Sequence, residues 1–148
     1  MTVAGILKSI ALAAAIAVTA VPAIAQEMPP QKVVYHNNGS TNPDYYKHFL
    51  ANVRNHITAV GRDNIELVVV GHGDGLQLLA DAETDPELAA KIDALRADGV
   101  RFLICANTLR SRNITLDELY GAKDEDVVPS GVAEIARLEQ EGFAYLHP

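Results

Sequence analysis

The sequence has little cysteine, few basic residues and few long apolar runs, and each shortage excludes a class of protein. Cysteine occurs once in the 148 residues, at Cys105, so the chain cannot close an internal disulfide. Lysine and arginine number 12 against 19 aspartates and glutamates, which gives a formal net charge of −7. Domains that bind nucleic acid carry a clustered basic surface, and this acidic chain has only scattered basic residues. We therefore expect no nucleic-acid partner.

The main apolar run lies at the N-terminus and has the three regions of a secretory signal peptide. Lys8 precedes an apolar stretch, and an Ala-x-Ala pattern ends at Ala25. A membrane-spanning helix needs about 20 apolar residues, and Thr19 and Pro22 interrupt this run, so a retained anchor is the weaker alternative. We predict cleavage after Ala25, a periplasmic or secreted protein without stable membrane insertion, and one domain over residues 26–148.

Strand and helix signals alternate along this domain. Apolar runs rich in β-branched residues predict strands over Lys32–His36, Asn64–Val70, Arg101–Ile104, Asp126–Pro129 (an edge strand) and Phe143–Leu146. Apolar residues at three- and four-residue steps and capping signals predict helices from Asn42-Pro43 to Gly61, Pro86–Ala97, Thr115–Tyr120 and Gly131–Glu141, and a short helix or turn over Leu76–Ala80. On the last helix, the residues predicted to face inward are Val132, Ile135, Ala136 and Leu138, and Arg110–Asn113 is predicted to be a polar connection. The alternation predicts an α/β fold: a parallel sheet covered by helices on both faces, a flavodoxin-like three-layer sandwich.

Polar residues follow three of the predicted strands at their carboxyl ends, where ligands bind in open α/β sheets. Cys105 is the candidate nucleophile, because a thiolate is nucleophilic and a neighbouring histidine or helix start lowers the pKa of a cysteine. His72 and His36 are the candidate proton partners. The candidate ligand-binding residues around them are Asn37, Asn38, Gly73, Asp74, Asn107, Thr108 and Arg110, with Arg112 as a second arginine that could hold an anion.

Each of these residues also has a purely structural interpretation. Free cysteine is among the most buried residue types, although a left-over thiol in an exported chain favours a reactive group or intermolecular pairing. His72 lies between two glycines and could be an ordinary loop residue. Arginines that flank helices are usually solvated, and His147 is expected to belong to a frayed C-terminal tail.

Two common kinds of site are not predicted. The glycines of Gly71–Gly75 do not complete a G-x-G-x-x-G nucleotide motif and are not followed by Lys-Ser/Thr. His36, His72, Asp74 and Cys105 lack the compact spacing typical of metal ligands. We therefore predict neither a metal nor another cofactor.

Four segments of the domain match a pattern known from one family. They are Val33–Asn38, Val68–Gly73, Phe102–Leu109 and Val128–Leu146, and the Cys-Ala-Asn-Thr-Leu and Pro-Ser-Gly-Val stretches within them are the most specific parts. On these residues the chain resembles the DsrE/DsrF-like family, including its small YchN-type members. The resemblance implies a small α/β fold, a homo-oligomer (trimer or hexamer) and, at Cys105 alone, a cysteine that carries sulfur as a persulfide.

Three functions remain open on the sequence. The favoured one is a sulfur carrier or sulfurtransferase of sulfur metabolism, in which Cys105 receives sulfur from a donor and passes it to an acceptor protein. The second is a module that binds a small ligand at the strand ends, with Cys105 packed in the core. The third is a structural component of an oligomer.

Overall fold

The computed structural model describes residues 28–42 and 44–148, so the predicted signal peptide and Pro43 lie outside the described residues. The strands in this part of the chain are β1 Gln31–Asn37, β2 Ile65–Gly71, β3 Arg101–Cys105, β4 Val127–Val128 and β5 Ala144–Leu146. The α-helices are α1 Tyr45–Val60, α2 Gln77–Ala82, α3 Pro86–Ala97, α4 Ala106–Arg112 and α5 Gly131–Gln140. Short 3₁₀ helices cover Arg62–Asn64, Gly73–Leu76, Leu116–Glu118 and Asp124–Asp126. Among the described residues, no helix is both long enough and apolar enough to cross a membrane.

All the strands of the sheet are parallel, and they lie in the order β4-β3-β2-β1-β5. From β1 to β4 the chain moves steadily towards one edge, and β5 then returns to the opposite edge. Because crossovers between parallel strands are right-handed, the helices of the outward path and the returning helix α5 lie on opposite faces. The predicted α/β fold with helices on both faces is confirmed.

Alternate residues of the central strands feed two hydrophobic cores. Val33 and Tyr35 of β1 pack into the larger core with α1, α2 and α3, whereas Val34 packs into the smaller core beneath α5. That smaller core takes Ile135 and Leu138 from α5. Side chains two residues apart on a strand share a face. The same alternation therefore decides which residues meet where the strands end.

The start of α1 and the connection after β3 differ from the prediction. α1 begins at Tyr45 rather than next to Asn42, because the Asn42 side chain accepts the backbone N–H of Asp44 in a turn that precedes the helix. The predicted polar connection Arg110–Asn113 is instead largely helical, since α4 starts directly after Cys105 and ends at Arg112. Cys105 consequently occupies the position that caps a helix.

Helix α5 starts as predicted, but fewer of its apolar side chains are buried against the sheet than predicted. The Ser130 side chain accepts the backbone N–H of Ala133 and caps the helix. Ile135 and Leu138 are buried as predicted, but Val132 is 63% exposed and Ala136 is exposed too. Residues 132 and 136 are one step round the helix from the buried stripe, and the prediction for both was wrong.

Candidate functional site

Three chemically active side chains end the neighbouring strands at the centre of the sheet. His36 lies near the end of β1, His72 follows β2 directly, and Cys105 ends β3. Each lies two residues after a member of the smaller core, as His36 follows Val34 and His72 follows Val70. The alternation of a strand therefore places all three on the side of the sheet that carries α5.

His72 and Cys105 are adjacent beneath the first residue of α5. The β2–β3 register pairs Gly71 with Ile104, and His72 and Cys105 are the next residues on the two strands. A Cβ atom built on Gly131 would lie 3.2 Å from the Cβ of His72 and 3.3 Å from the Cβ of Cys105. Glycine at this position lets α5 approach both residues closely.

Cys105 is a buried, unpaired thiol surrounded by hydrogen-bond donors. Its residue surface is 5% exposed. Burial raises the pKa of the thiol, but donors outweigh it: the backbone N–H groups of Gly131, Thr108 and Asn107 and the Thr108 hydroxyl together lower the pKa of Cys105 below its ordinary value. Hydrogen bonds to the charged form favour that form, so the site stabilises a thiolate.

The Thr108 side chain links this sulfur site to the loop after β2. Thr108 is buried, and its hydroxyl oxygen accepts the backbone N–H of Gly73 at 2.8 Å. The hydroxyl proton is thereby left to point towards the sulfur of Cys105. Among the polar residues predicted around the cysteine, Thr108 has the most direct connection to it.

His36 and His72 form a hydrogen-bonded pair next to the thiol. Their Nε2 atoms are 2.6 Å apart, and the two rings are stacked with centroids 4.7 Å apart and an interplanar angle of 26°. An imidazole nitrogen either donates or accepts, so one proton lies between the two Nε2 atoms. The two rings act as one unit in any proton exchange.

Two residues at the C-terminus complete the cluster. The Oη atom of Tyr145 lies 2.7 Å from Nδ1 of His36. The His147 ring is 5.1 Å from that of His36, and its Nε2–H donates to Oδ1 of Asn38 at 2.9 Å. The expectation that His147 belongs to a frayed tail was wrong, because parallel pairing of β5 with β1 brings the tail beside His36.

The two histidines of the pair are neutral at pH 7. Burial, followed by the charges of His72 and His147, lowers the pKa of His36 to about 4. Burial also lowers the pKa of His72. Neutral imidazole can both accept and donate a proton, so the pair is suited to proton exchange rather than to holding an anion by charge.

Comparison with known proteins identifies the family. The family model for the DsrE/DsrF-like family matches residues 31–148. The chain belongs to the DsrE/DsrF-like family. A protein of unknown function from Methanobacterium thermoautotrophicum is similar in structure, with a TM-score of 0.68 and 32% identity over 80% of this chain and 99% of that one. The YchN protein of E. coli shares the fold, with a TM-score of 0.61 and 16% identity over the same shares of the two chains. No curated protein matches the chain.

In this DsrE-like protein, two residues predicted to bind a ligand have structural roles. Asn37 is 1% exposed, its amide donates to the carbonyl of Gly75, and its Oδ1 accepts the backbone N–H of Gly39. The backbone N–H of Gly73 is taken by Thr108. These groups are already hydrogen-bonded within the protein, and a role of Asn37 or Gly73 in binding a ligand stays a prediction.

The remaining predicted residues lie at the rim of the site. The Arg112 guanidinium pairs with the carboxylate of Asp74 at 2.6 Å, and the Arg110 side chain donates to Oδ1 of Asn107. These contacts hold both arginines against polar partners on the surface. A role of Asp74, Asn107, Arg110 or the exposed Asn38 in binding a ligand stays a prediction.

The chemistry available at the site is acid–base and nucleophilic chemistry. Within residues 28–42 and 44–148, no group of three or more His, Cys, Asp or Glu side chains is arranged to hold a metal ion.

Sequence reasoning missed Tyr145, His147 and Gly131. Tyr145 and His147 are two residues apart and therefore share one side of the chain, as the residues at the other strand ends do. Only the strand order shows that β1 is their neighbour.

Proposed function

We propose that this DsrE-like protein is a sulfur carrier in which Cys105 accepts a sulfane sulfur atom as a persulfide. The observation that carries the proposal is the set of donors around the sulfur, from Gly131, Thr108 and Asn107, which favours the thiolate despite its burial. The family is associated with sulfur relay, and this provides the second support.

The transfer can be written with every atom accounted for. The Cys105 thiolate attacks a sulfane sulfur of a polysulfide, forming a bond from Sγ to that sulfur while the adjacent S–S bond breaks. The electron pair of the broken bond leaves with the shortened polysulfide, so no external oxidant or reductant is needed. In the reverse half, an acceptor thiolate attacks the outer sulfur, and Cys105 leaves as the thiolate that its donors stabilise.

Burial of the cysteine favours a second candidate function. With 5% of Cys105 exposed, the residue could serve only as packing beneath Gly131, while the strand ends bind a small molecule. In that case the thiol would resist modification in the folded protein. The two candidates therefore differ in a property that is measured directly.

The test is the reactivity of Cys105, the only cysteine of the chain. The purified protein is alkylated with iodoacetamide across pH, before and after incubation with inorganic polysulfide, and the intact mass is recorded. We expect a thiol pKa below the free-cysteine value of about 8.5 and a gain in steps of about 32 Da, the mass of sulfur.

Cys105→Ser is the matched control and should gain no sulfur. A wild-type thiol that stays unmodified by both reagents until the protein is unfolded would contradict the carrier function and favour the binding module.

We also propose that the protein is exported and self-associates. The signal-peptide pattern of residues 1–25 supports export. Exposed apolar side chains, Val132 and Tyr145 on the α5 side of the sheet and Leu146 on the opposite side of β5, support a homo-oligomer. Intact mass of the protein from the periplasmic fraction tests cleavage after Ala25, and sedimentation equilibrium tests a trimer or hexamer. An uncleaved chain or a monomer would contradict the respective proposal.

A further inference from the structure

A continuous line of hydrogen-bonding groups runs from the protein surface to the side of Cys105. It starts at Tyr145, which is 42% exposed, and passes from Oη to Nδ1 of His36 over 2.7 Å. It continues from Nε2 of His36 to Nε2 of His72 over 2.6 Å. His72 lies next to Cys105 beneath Gly131, and its Nδ1 has no hydrogen-bond partner among the described residues.

Counting donors and acceptors leaves two neutral arrangements of this line. In the first, the Tyr145 hydroxyl donates to His36, Nε2–H of His36 donates to His72, and His72 carries a proton on Nδ1. In the second, every bond is reversed: His36 donates from Nδ1 to Tyr145, His72 donates from Nε2 to His36, and Nδ1 of His72 is bare. The two differ only by a shift of protons along the line.

We propose that Tyr145, His36 and His72 form a proton relay between the sulfur site and solvent. This inference deepens the proposed function and rests on it. Starting from the second arrangement, Nδ1 of His72 takes the thiol proton of Cys105, and the electron pair of the S–H bond stays on sulfur. The Nε2 proton of His72 moves to His36, the Nδ1 proton of His36 moves to Tyr145, and the hydroxyl proton of Tyr145 passes to water.

The relay ends in the first arrangement without placing a net charge on either ring. In the reverse direction, Nδ1–H of His72 protonates the leaving polysulfide, the protons on His36 and Tyr145 shift back along the line, and water supplies a new hydroxyl proton to Tyr145, which restores the second arrangement. His72 is then the catalytic acid and base, while His36 and Tyr145 are positioning residues that act through it.

The surroundings of the pair suit a neutral relay. The titratable groups that face His36 are Tyr145 and His147 on the β5 side and His72 on the β2 side. Beyond His72 lies Cys105, and α5 contributes Gly131 at that point, which carries no charge. Burial disfavours a charged ring, so a second proton is not retained on His36 beside His72 and passes on to Tyr145.

The test compares His36→Gln with His56→Gln as a matched control. His56 is also half-buried and hydrogen-bonded to a tyrosine hydroxyl, at 3.0 Å from Tyr35, but it lies on α1 on the other side of the sheet. The rate of sulfur gain from inorganic polysulfide is followed by intact mass from pH 5 to 9. General acid–base groups contribute roughly 10²–10⁴-fold to rates.

We expect His36→Gln to slow sulfur gain at pH 7 by at least about tenfold and to flatten its pH profile, and added imidazole to restore part of the rate. Tyr145→Phe should give a smaller loss, and His56→Gln should react like the wild type. Iodoacetamide should still show the lowered thiol pKa in His36→Gln, because Gly131, Thr108 and Asn107 set that pKa. Equal rates and pH profiles in folded His36→Gln and His56→Gln would overturn the relay while leaving the carrier function in place.

A readout that does not depend on sulfur chemistry separates the two proposals. Imidazole ¹⁵N shifts of His72 report its tautomer, which should average over both nitrogens in the wild type and become fixed in His36→Gln. If the wild-type protein gains no sulfur, the carrier function fails, and these shifts still decide the relay. The same fixed tautomer in both proteins would overturn it.

Discussion

The single residue that sets the chemistry of Cys105 most directly is Thr108. Its hydroxyl oxygen is occupied by the backbone N–H of Gly73, which leaves the hydroxyl proton for the sulfur. The backbone donors around the sulfur are fixed by the fold, so this hydroxyl is the donor that a substitution can remove without changing the main chain.

We expect Thr108→Val, which preserves the shape of the side chain, to raise the pKa of Cys105 by about one unit. The reason is that a hydrogen bond to a charged group contributes roughly 1.5–3 kcal/mol. The pH dependence of iodoacetamide alkylation measures this pKa. Thr108→Ser keeps the hydroxyl and should match the wild type, and an unchanged pKa in Thr108→Val would show that the backbone donors suffice.

At the scale of an element, the approach of α5 to the sheet depends on its first residue. Gly131 lies so close to β2 and β3 that a Cβ there would be 3.2–3.3 Å from His72, Cys105 and Val70. Val70 and Cys105 lie in neighbouring strands of a hydrogen-bonded sheet and His72 directly follows one of them, so the three side chains cannot all move away. Because Gly131 has no side chain, the start of α5 can lie this close to the site.

Two opposing effects decide the outcome of Gly131→Ala. Alanine reduces the entropy of the unfolded chain, which stabilises by about 0.4–1 kcal/mol, whereas crowding in a packed region costs about 1–3 kcal/mol. We expect a net loss of stability, seen as a lower urea midpoint, together with a higher thiol pKa because the Gly131 N–H moves away from the sulfur. Val132→Ala, one residue further on the exposed side of α5, should change neither; a Gly131→Ala protein as stable as this control would refute the packing argument.

At the scale of the whole molecule, half-buried histidines make the stability depend on pH. Burial lowers the pKa values of His36, His72 and His56, and that of His36 falls to about 4 with further help from the charges of His72 and His147. Each of these groups takes up a proton more readily in the unfolded chain, where the pKa is about 6.5. Their effect on stability is constant above that pH and becomes unfavourable as the pH falls from about 6.5 towards 4.

We therefore expect the urea midpoint to fall between pH 7 and pH 5, and the fall to be smaller in His36→Gln. His48→Gln, which replaces an exposed histidine of α1, is the matched control and should fall as much as the wild type. The same fall in His36→Gln as in this control would mean that carboxylates, rather than the histidine pair, cause the acid sensitivity.

Much of the architecture could be predicted from local patterns in the sequence. The β-branched runs gave β2 and β3 to within a residue or so, and the Asp85-Pro86 start of α3 was predicted because the Asp85 side chain accepts the first free N–H groups. The meeting of His36, His72 and Cys105 followed from parallel strands. What failed was mostly burial: Val132 and Ala136 were predicted to face inward from their residue type, whereas exposure depends on what another element covers.

The sequence by itself determined the strands, the helices other than α4, the alternation of side chains along each strand and the presence of one thiol at a strand end, because these depend on residues near one another in the chain. Only the tertiary structure decided that β5 pairs with β1 rather than β4, and hence that Tyr145 and His147 reach His36. It also decided that Gly131 supplies a donor to the sulfur of Cys105. Those contacts join residues that are far apart in sequence, and they exist because the return of α5 across the sheet fixes which strand ends lie side by side.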